Sequence, residues 1–397
     1  MQIIRFFTAG ESHGKVLTGI IEGIPSGFSL TSADINADLK RRQGGYGRGG
    51  RMSIESDRAE IFSGVRWGKT LGSPIAISIE NKDWKNWASG MSPREEDRGS
   101  LPPVTRPRPG HADLAGVLKY ATRDIRDILE RSSARETAMR VALGAVAKKI
   151  LAGFGVSIGS YVTRIGKVHW PGERPVAGDA LARLFQSAEQ SPVRCPDKTV
   201  SQLMVRHIDR AIRAGTSVGG SFTVFAAGVP AGLGSHTQWD RKLDGRLAQA
   251  IMSIQAIKGV EVGDGVAFAS LSGSEVMDQI YYRAASRPGE MSFYRKTNHA
   301  GGIEGGISNG MPIILSAAMK PIPTLRKPLL SVDLRTKKPI AAAYERSDTC
   351  AVPAAAVVAE AMTALVLADA FLEKFGGDSR REIKRNVQSY LSYLKAF

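Results

Sequence analysis

The feature that most constrains the fold of this chain is a pair of Gly-x-Pro turns that recurs, in the same order, in its two halves. Gly23-Ile24-Pro25-Ser26-Gly27-Phe28 is echoed by Gly228-Val229-Pro230-Ala231-Gly232-Leu233, and Gly72-Ser73-Pro74-Ile75-Ala76-Ile77-Ser78 by Gly310-Met311-Pro312-Ile313-Ile314-Leu315-Ser316. Each member of the first pair follows an apolar run and precedes a helical pattern. Two pairs in one order point to duplicated halves, the second carrying an insertion. The alternative is separate reuse of Gly-x-Pro turns, because short matches around Gly and Pro arise easily.

Apolar runs bounded by Gly or Pro predict strands over 16–24, 75–79, 221–229 and 311–319. Leu243, Leu247, Ile251 and Ile254 predict a helix with Asp240 as cap and Gly259 as stop. Residues 353–375 read as a helix apolar nearly all round, so burial is expected, with Gly376 and Gly377 ending it. Residues 113–152 read as two or three helical pieces broken near Arg131-Ser132-Ser133. Ser133 and Glu136 there have the spacing of a capping box. Residues 380–397 read as a peripheral amphipathic helix. Without the regular alternation of βαβ units, this inventory favours an α+β layered fold.

With 397 residues and 43% hydrophobic content the chain can bury a substantial core, and no stretch reads as an interdomain linker. The formal charge of +16 allows nucleic acid, an anionic membrane or a multiply anionic small molecule. The basic residues are spread through Gly- and Pro-rich loops rather than gathered in dense tracts, which favours the small molecule over nucleic acid or a membrane. Cys195 and Cys350 form no CxxC pair, and no signal peptide or apolar run of about 20 residues is present. A cytoplasmic protein without a metal site is expected.

Short glycine-framed loops carry the residues suited to chemistry. His13 lies between Gly10 and Gly14, and His111 follows Pro109-Gly110 and precedes Asp113, a candidate cap for the next helix. Arg42, Arg48 and Arg51 lie in a Gly-rich stretch, where the planar guanidinium suits bidentate pairing with carboxylate or phosphate. Gly45, Gly47 and Gly49 make only a weak nucleotide fingerprint, since no buried strand precedes them. Arg131-Ser132-Ser133 stands before a helix N-terminus, a place for phosphate. The glycines of 298–310 suggest close backbone approach to a flat or anionic ligand, and 320–324 forms a rigid loop with a cation and a hydroxyl. Asp348, beside Arg346, is open to two readings: an ion pair or a positioned base.

Taken together, Gly10-Glu11-Ser12-His13-Gly14, Arg41-Arg42-Gln43, Gly45-Tyr46-Gly47-Arg48-Gly49, Arg108-Pro109-Gly110-His111-Ala112-Asp113, Arg131-Ser132-Ser133-Ala134-Arg135-Glu136-Thr137, Asn298-His299-Ala300-Gly301-Gly302 and Glu345-Arg346-Ser347-Asp348 strongly resemble chorismate synthase. The match runs in order from near residue 8 to about residue 362. Arg213-Ala214-Gly215-Thr216 departs from a stretch that is often acidic in that family, and 168–200 is not distinctive.

The resemblance implies 1,4-anti elimination of phosphate from 5-enolpyruvylshikimate 3-phosphate to give chorismate, the last step of the shikimate pathway, with a need for reduced FMN. It implies an acid role for His13 toward the departing phosphate, a place near flavin N1 for His111, and a supporting role for Asp348 at flavin N5. Flavin contacts map to Arg131, Ser132, Ser133, Gln255, Ala256, Gly305, Lys320, Pro321, Ile322, Pro323, Thr324 and Arg346. Arg42 and Arg48 match NADP-contacting positions and serve equally as substrate arginines. The fold implied is a single-domain β-α-β sandwich with internal pseudo-duplication, its core over 1–376 and a tail over 377–397, assembled as a homotetramer. With no additional domain for flavin reduction, an external source of reduced flavin is expected, NADPH being the alternative reductant. An RNA-binding module and a flavin reductase on the same scaffold are the rival classes.

Overall fold

The computed structural model describes residues 3–49, 56–284, 291–345 and 347–397. Its first sheet is antiparallel, with strands in the order Arg5–Ala9, Val16–Glu22, Ile75–Glu80, Ala59–Ile61. The second runs Ser157–Ile165, Gly220–Ala227, Ile313–Met319, Ile257–Val262, with Val168–His169 added outside Ser157–Ile165. The four strands expected from the Gly- and Pro-bounded runs are therefore formed. Their registers also agree between the halves. Ile21, two residues before Gly23, pairs with Ile75, three after Gly72; Ala226, two before Gly228, pairs with Ile313, three after Gly310.

The helices are, in chain order, α1 (Ser32–Gln43), α2 (Asp113–Tyr120), α3 (Arg126–Ser132), α4 (Thr137–Ala152), α5 (Gly178–Glu189), α6 (Lys198–Ala214), α7 (Leu243–Met252), α8 (Gly273–Val276), α9 (Val352–Phe375) and α10 (Arg380–Ala396). Helix α4 lies on the first sheet and α9 on the second, and the two helices pack against each other. Alternation sets the inward faces: Leu17, Ile21, Ile75, Ile77 and Ile79 point to α4, and a Cβ at Gly19 would meet Met139 Sδ at 2.6 Å, so glycine there lets the helix lie close. Phe222, Val224 and Leu315 supply the second sheet's core, while Phe225 and Ile314 on its other face are covered by α5.

Helix α9 begins with Pro353 in its first turn, where the missing N–H costs nothing, and its apolar surface is buried as expected. It is long and apolar enough to cross a membrane, yet it lies inside the fold. Glu360 in its middle is matched by Arg41 at 2.7 Å, Lys148 at 3.0 Å and Arg194 at 3.2 Å. Helix α10 is amphipathic, closed by a Ser379/Glu382 capping box, and buries Ile383 and Val387.

Three local expectations are corrected. Helix α7 starts after Lys242 and ends at Met252, because Asp240 belongs to a separate 3-10 turn and Gly259 to the strand Ile257–Val262. Ser133 caps a 3-10 turn through the Arg135 N–H, while the Glu136 carboxylate is taken by Arg140, Gln255 and Thr8, so no capping box forms. Asp113 does not cap α2; its carboxylate is engaged by Arg108 and His111.

Candidate active site

The N-terminal ends of α4 and α9 open onto one cavity of about 900 Å³. Thr137 of α4 and Ala354, Ala355 and Val358 of α9 line it from below. The turn carrying His13, the loop around His111, the segment after the strand Ile313–Met319 and residues Ser347 and Asp348 close around it. Sites of this size and mixed lining suit a ligand of cofactor dimensions.

His13 projects from the turn between the first two strands. Its backbone N–H donates to Glu130 Oε2 at 2.8 Å, and its Nδ1 lies 2.9 Å from Glu130 Oε1. Its ring stacks on Trp87, centroids 4.0 Å apart. Burial would push the Glu130 carboxyl up; the hydrogen bond and charge of His13, then Arg126, hold it below the usual carboxylate range. His111 is held in a similar way, with Nδ1 at 2.5 Å from Asp113 Oδ1, while Arg108 reaches Asp113 through Nε at 2.8 Å and Nη2 at 3.0 Å. Against burial, the hydrogen bonds of His111 and Arg108 keep Asp113 well below its ordinary range.

Arg42 is not in the glycine loop but in the last turn of α1, and it is buried. It donates to Thr137 Oγ1 at 3.1 Å and the Ala134 carbonyl at 2.8 Å, and shares Asp57 with Arg135. Burial, with Arg48 and Arg135 adding repulsion, brings its guanidinium down to about 10. Asp348 is ion-paired: Arg48 Nη1 lies 2.9 Å from Oδ2, and the Gly49 N–H donates to Oδ1 at 2.7 Å. Lys320 donates to the Gly110 carbonyl, and burial followed by Lys258 lowers its ammonium. Among the described residues, five cations line the cavity: Arg42, Arg48, Arg108, Arg135 and Lys320.

The cavity thus brings together His13, Arg42, Arg48, His111, Ser132, Ser133, Gln255, Ala256, Lys320, Ile322, Pro323, Thr324 and Asp348, which come from segments spread over more than three hundred residues. Gln255 donates to Glu136 at 3.2 Å, while its buried Oε1 has no partner, and Ala256 next to it holds φ +67°. Arg131 is not in the lining: its guanidinium is spent on the carbonyls of Thr8 and Gly10. Pro321 is also outside it, and Arg346 lies outside the described residues. Gly305 sits in the turn of the hairpin Ile303–Glu304/Ile307–Ser308, away from the cavity lining. The glycines around it answer to the fold, since a Cβ at Gly301 would lie 2.3 Å from Gly263 N and one at Gly302 2.5 Å from the Pro312 carbonyl. Trp87, Glu130 and Asp57 are not singled out by the sequence, since nothing local marks them, and Arg135 enters only within the motif around Ser133.

Two carboxylate-backed imidazoles, with five cations and the carboxylates of Asp83, Glu345 and Asp348 in the described lining, make a site suited to an enzyme that acts on a small molecule. A family model described as chorismate synthase matches residues 4–372. The chain is 59% identical over 397 residues to a chorismate synthase of Geotalea uraniireducens (strain Rf4) and 53% identical over 401 residues to one of Aquifex aeolicus (strain VF5), covering the whole of each. It also matches a solved structure titled "Crystal Structure of Chorismate Synthase" with a TM-score of 0.81 and 45% identity, over 99% of both chains. The chain belongs to the chorismate synthase family, and it is a lyase.

Proposed function

We propose that this chain converts 5-enolpyruvylshikimate 3-phosphate to chorismate by 1,4-anti elimination of phosphate, the last step of the shikimate pathway, with reduced FMN as cofactor. One observation carries the reading: His13, His111 and Asp348 share a cavity of about 900 Å³ with five cations. A substrate bearing two carboxylates and a phosphate needs such a surround, and arginine forks match those groups bidentately.

The residues present fit a flavin. A buried carbonyl left without a donor costs about 1–3 kcal/mol, and Gln255 Oε1 is one at the cavity wall, suited to a ring N–H. Gln255, Ala256, Ser132, Ser133 and the segment Lys320, Ile322, Pro323 and Thr324 would hold the cofactor; Arg131, Gly305, Pro321 and Arg346 are assigned to it by family likeness. Reduced flavin, when bound, supplies electron density that helps the phosphate leave. His13 holds a proton for the departing phosphate oxygen, His111 holds one beside the flavin, and Asp348, steadied by Arg48 and the Gly49 N–H, helps move the proton lost from the substrate carbon. Arg42 and Arg48 bind substrate anions or, in a bifunctional enzyme, NADPH.

The same proposal covers the architecture: one domain over 1–397, a β-α-β sandwich of duplicated halves, favoured by the equal registers of the two strand pairs. A cytoplasmic homotetramer with no nucleic-acid or membrane partner completes it; exposed Phe7 and Ile20, paired across neighbouring strands, favour self-association. The test is anaerobic phosphate release with chemically reduced FMN, with and without NADPH. Release without NADPH is expected. NADPH consumption without phosphate release would favour a reductase, and tight, salt-sensitive RNA binding without flavin would favour the nucleic-acid reading.

A further inference from the structure

Glu130 has no place in the family motifs quoted above, yet its carboxylate is the most closely engaged group beside His13. It sits on α3, 2% exposed, and receives the His13 backbone N–H at 2.8 Å, the His13 ring Nδ1 at 2.9 and 3.0 Å, and Arg126 Nη1 at 3.2 Å. The Ser12 N–H also donates to its carbonyl at 3.0 Å, so backbone and side chain fix the His13 turn from one residue. Trp87 covers one face of the imidazole, and Arg126 lies over the same indole at 5.1 Å. His111 has a comparable carboxylate in Asp113, but there Arg108 spends two guanidinium nitrogens and its backbone N–H on that carboxylate. Glu130 has a single longer contact to Arg126. More of its charge is therefore left facing the His13 ring.

We infer that Glu130 is a positioning residue for His13, directing the ring so that Nε2 exchanges the proton and favouring its imidazolium form, with Arg126 aiming the carboxylate. The inference rests on the reading of His13 as the acid. When the C–O bond breaks, its electron pair passes to the phosphate oxygen, that oxygen takes the proton from Nε2, and the neutral ring keeps its Nδ1–H on Glu130. Glutamine at 130 would keep size and one acceptor but remove the charge and offer an N–H where the ring needs an acceptor. Other charges stand around His13: Glu11 in its own turn, Asp83 from the 3-10 turn Lys82–Asn86, and in the cavity lining Arg42, Arg48, Arg108, His111, Arg135, Lys320, Glu345 and Asp348. All are kept in the variants below, so a change reports on Glu130.

The experiment compares the wild-type chain with Glu130→Gln, Glu130→Asp, His13→Ala and the double variant Glu130→Gln/His13→Ala. Phosphate release is followed against pH with reduced FMN, and the His13 ring is titrated by NMR in the ligand-free chain. Losing the charge is expected to move the basic limb of kcat and the NMR midpoint about one pH unit lower and to slow release by about 10- to 100-fold. Glu130→Asp keeps the charge and should keep the limb while losing rate; it also carries the test if the Gln variant does not fold. The double variant should be no slower than His13→Ala. A folded Glu130→Gln with wild-type limb and midpoint, or additive losses in the double variant, would overturn this inference alone. Wild-type release by His13→Ala would overturn the reading beneath it as well.

Discussion

Gly144→Ala is a small change with a large expected effect, because residue 144 marks the crossing of the two central helices. A Cβ built there lies 2.3 Å from Ala361 Cβ, 2.6 Å from Ala361 Cα and 2.8 Å from its carbonyl oxygen. Carbon atoms in contact sit about 3.5–4.0 Å apart, so α4 and α9 would have to part by about 1–1.5 Å. Two of the three obstacles are backbone, which no rotamer change relieves. Alanine gains about 1 kcal/mol of helix propensity over glycine, while overpacking costs about 1–3 kcal/mol and sometimes more. With a rigid obstacle the cost sits at the top of that range, leaving a net loss of about 2 kcal/mol, roughly 30-fold in the folding equilibrium. Because both helices open onto the cavity at their N-terminal ends, KM for the substrate should rise as well. Urea unfolding followed by circular dichroism measures the loss. Gly245→Ala in α7 is the control: its Cβ meets only the Trp239 carbonyl at 4.0 Å, so it should stabilise by up to about 1 kcal/mol. Equal or greater stability for Gly144→Ala would refute the packing argument.

Glu360→Gln should destabilise the chain by about 3 kcal/mol, the low end for a broken buried pair, since Arg41, Lys148 and Arg194 lose their fully buried counter-charge and keep only Asp38 and Glu189. Burial opposes ionisation of Glu360, but Arg41 and Lys148 prevail and hold its carboxyl well below the usual range. That contribution is present above the unfolded value near pH 4.3 and is lost as pH falls through the lower folded one. The variant should therefore show a flatter acid limb in unfolding at a series of pH values; an unchanged limb would count against the cluster. Burial pushes the Cys195 thiol up to about 11 and Cys350 up to about 12, so a thiol reagent at pH 8 should label both only after unfolding, and rapid labelling of the native chain would contradict this. Asp348→Asn should slow C–H cleavage by about 100-fold or more while sparing flavin binding, read in single-turnover flavin absorbance traces; a wild-type rate would remove Asp348 from the chemistry.

The strands were legible because their apolar runs end at Gly or Pro, and the repeat placed them in corresponding pairs. The end of α7 was not. Ile254 continues the helical spacing, but it is buried from a turn beyond the helix, and tertiary packing outweighs periodicity there. Among site residues, His13 and His111 stood out through their glycine neighbours, and Ser132 and Ser133 through the helix start behind them. Arg131 was grouped with those serines by adjacency, although successive helical residues point about 100° apart, and its guanidinium turns to Thr8 and Gly10. Glu130 and Asp57 carry no local signal, for their partners are remote: His13 lies 117 residues from Glu130, and Arg135 lies 78 from Asp57. The glycines of 298–310 carry a signal that has two sources. Gly301, Gly302, Gly306 and Gly310 have positive φ and close contacts with the chain itself, whereas a Cβ at Gly305 would meet nothing within 4 Å.

The most direct test of the account is a crystal structure of the chain with FMN and 5-enolpyruvylshikimate 3-phosphate bound. The prediction is that both ligands occupy the cavity at the N-terminal ends of α4 and α9, with a flavin N–H on Gln255 Oε1, the substrate anions on the arginines, and His13 Nε2 facing the phosphate. Flavin or substrate bound elsewhere, with His13 remote from the phosphate, would contradict it.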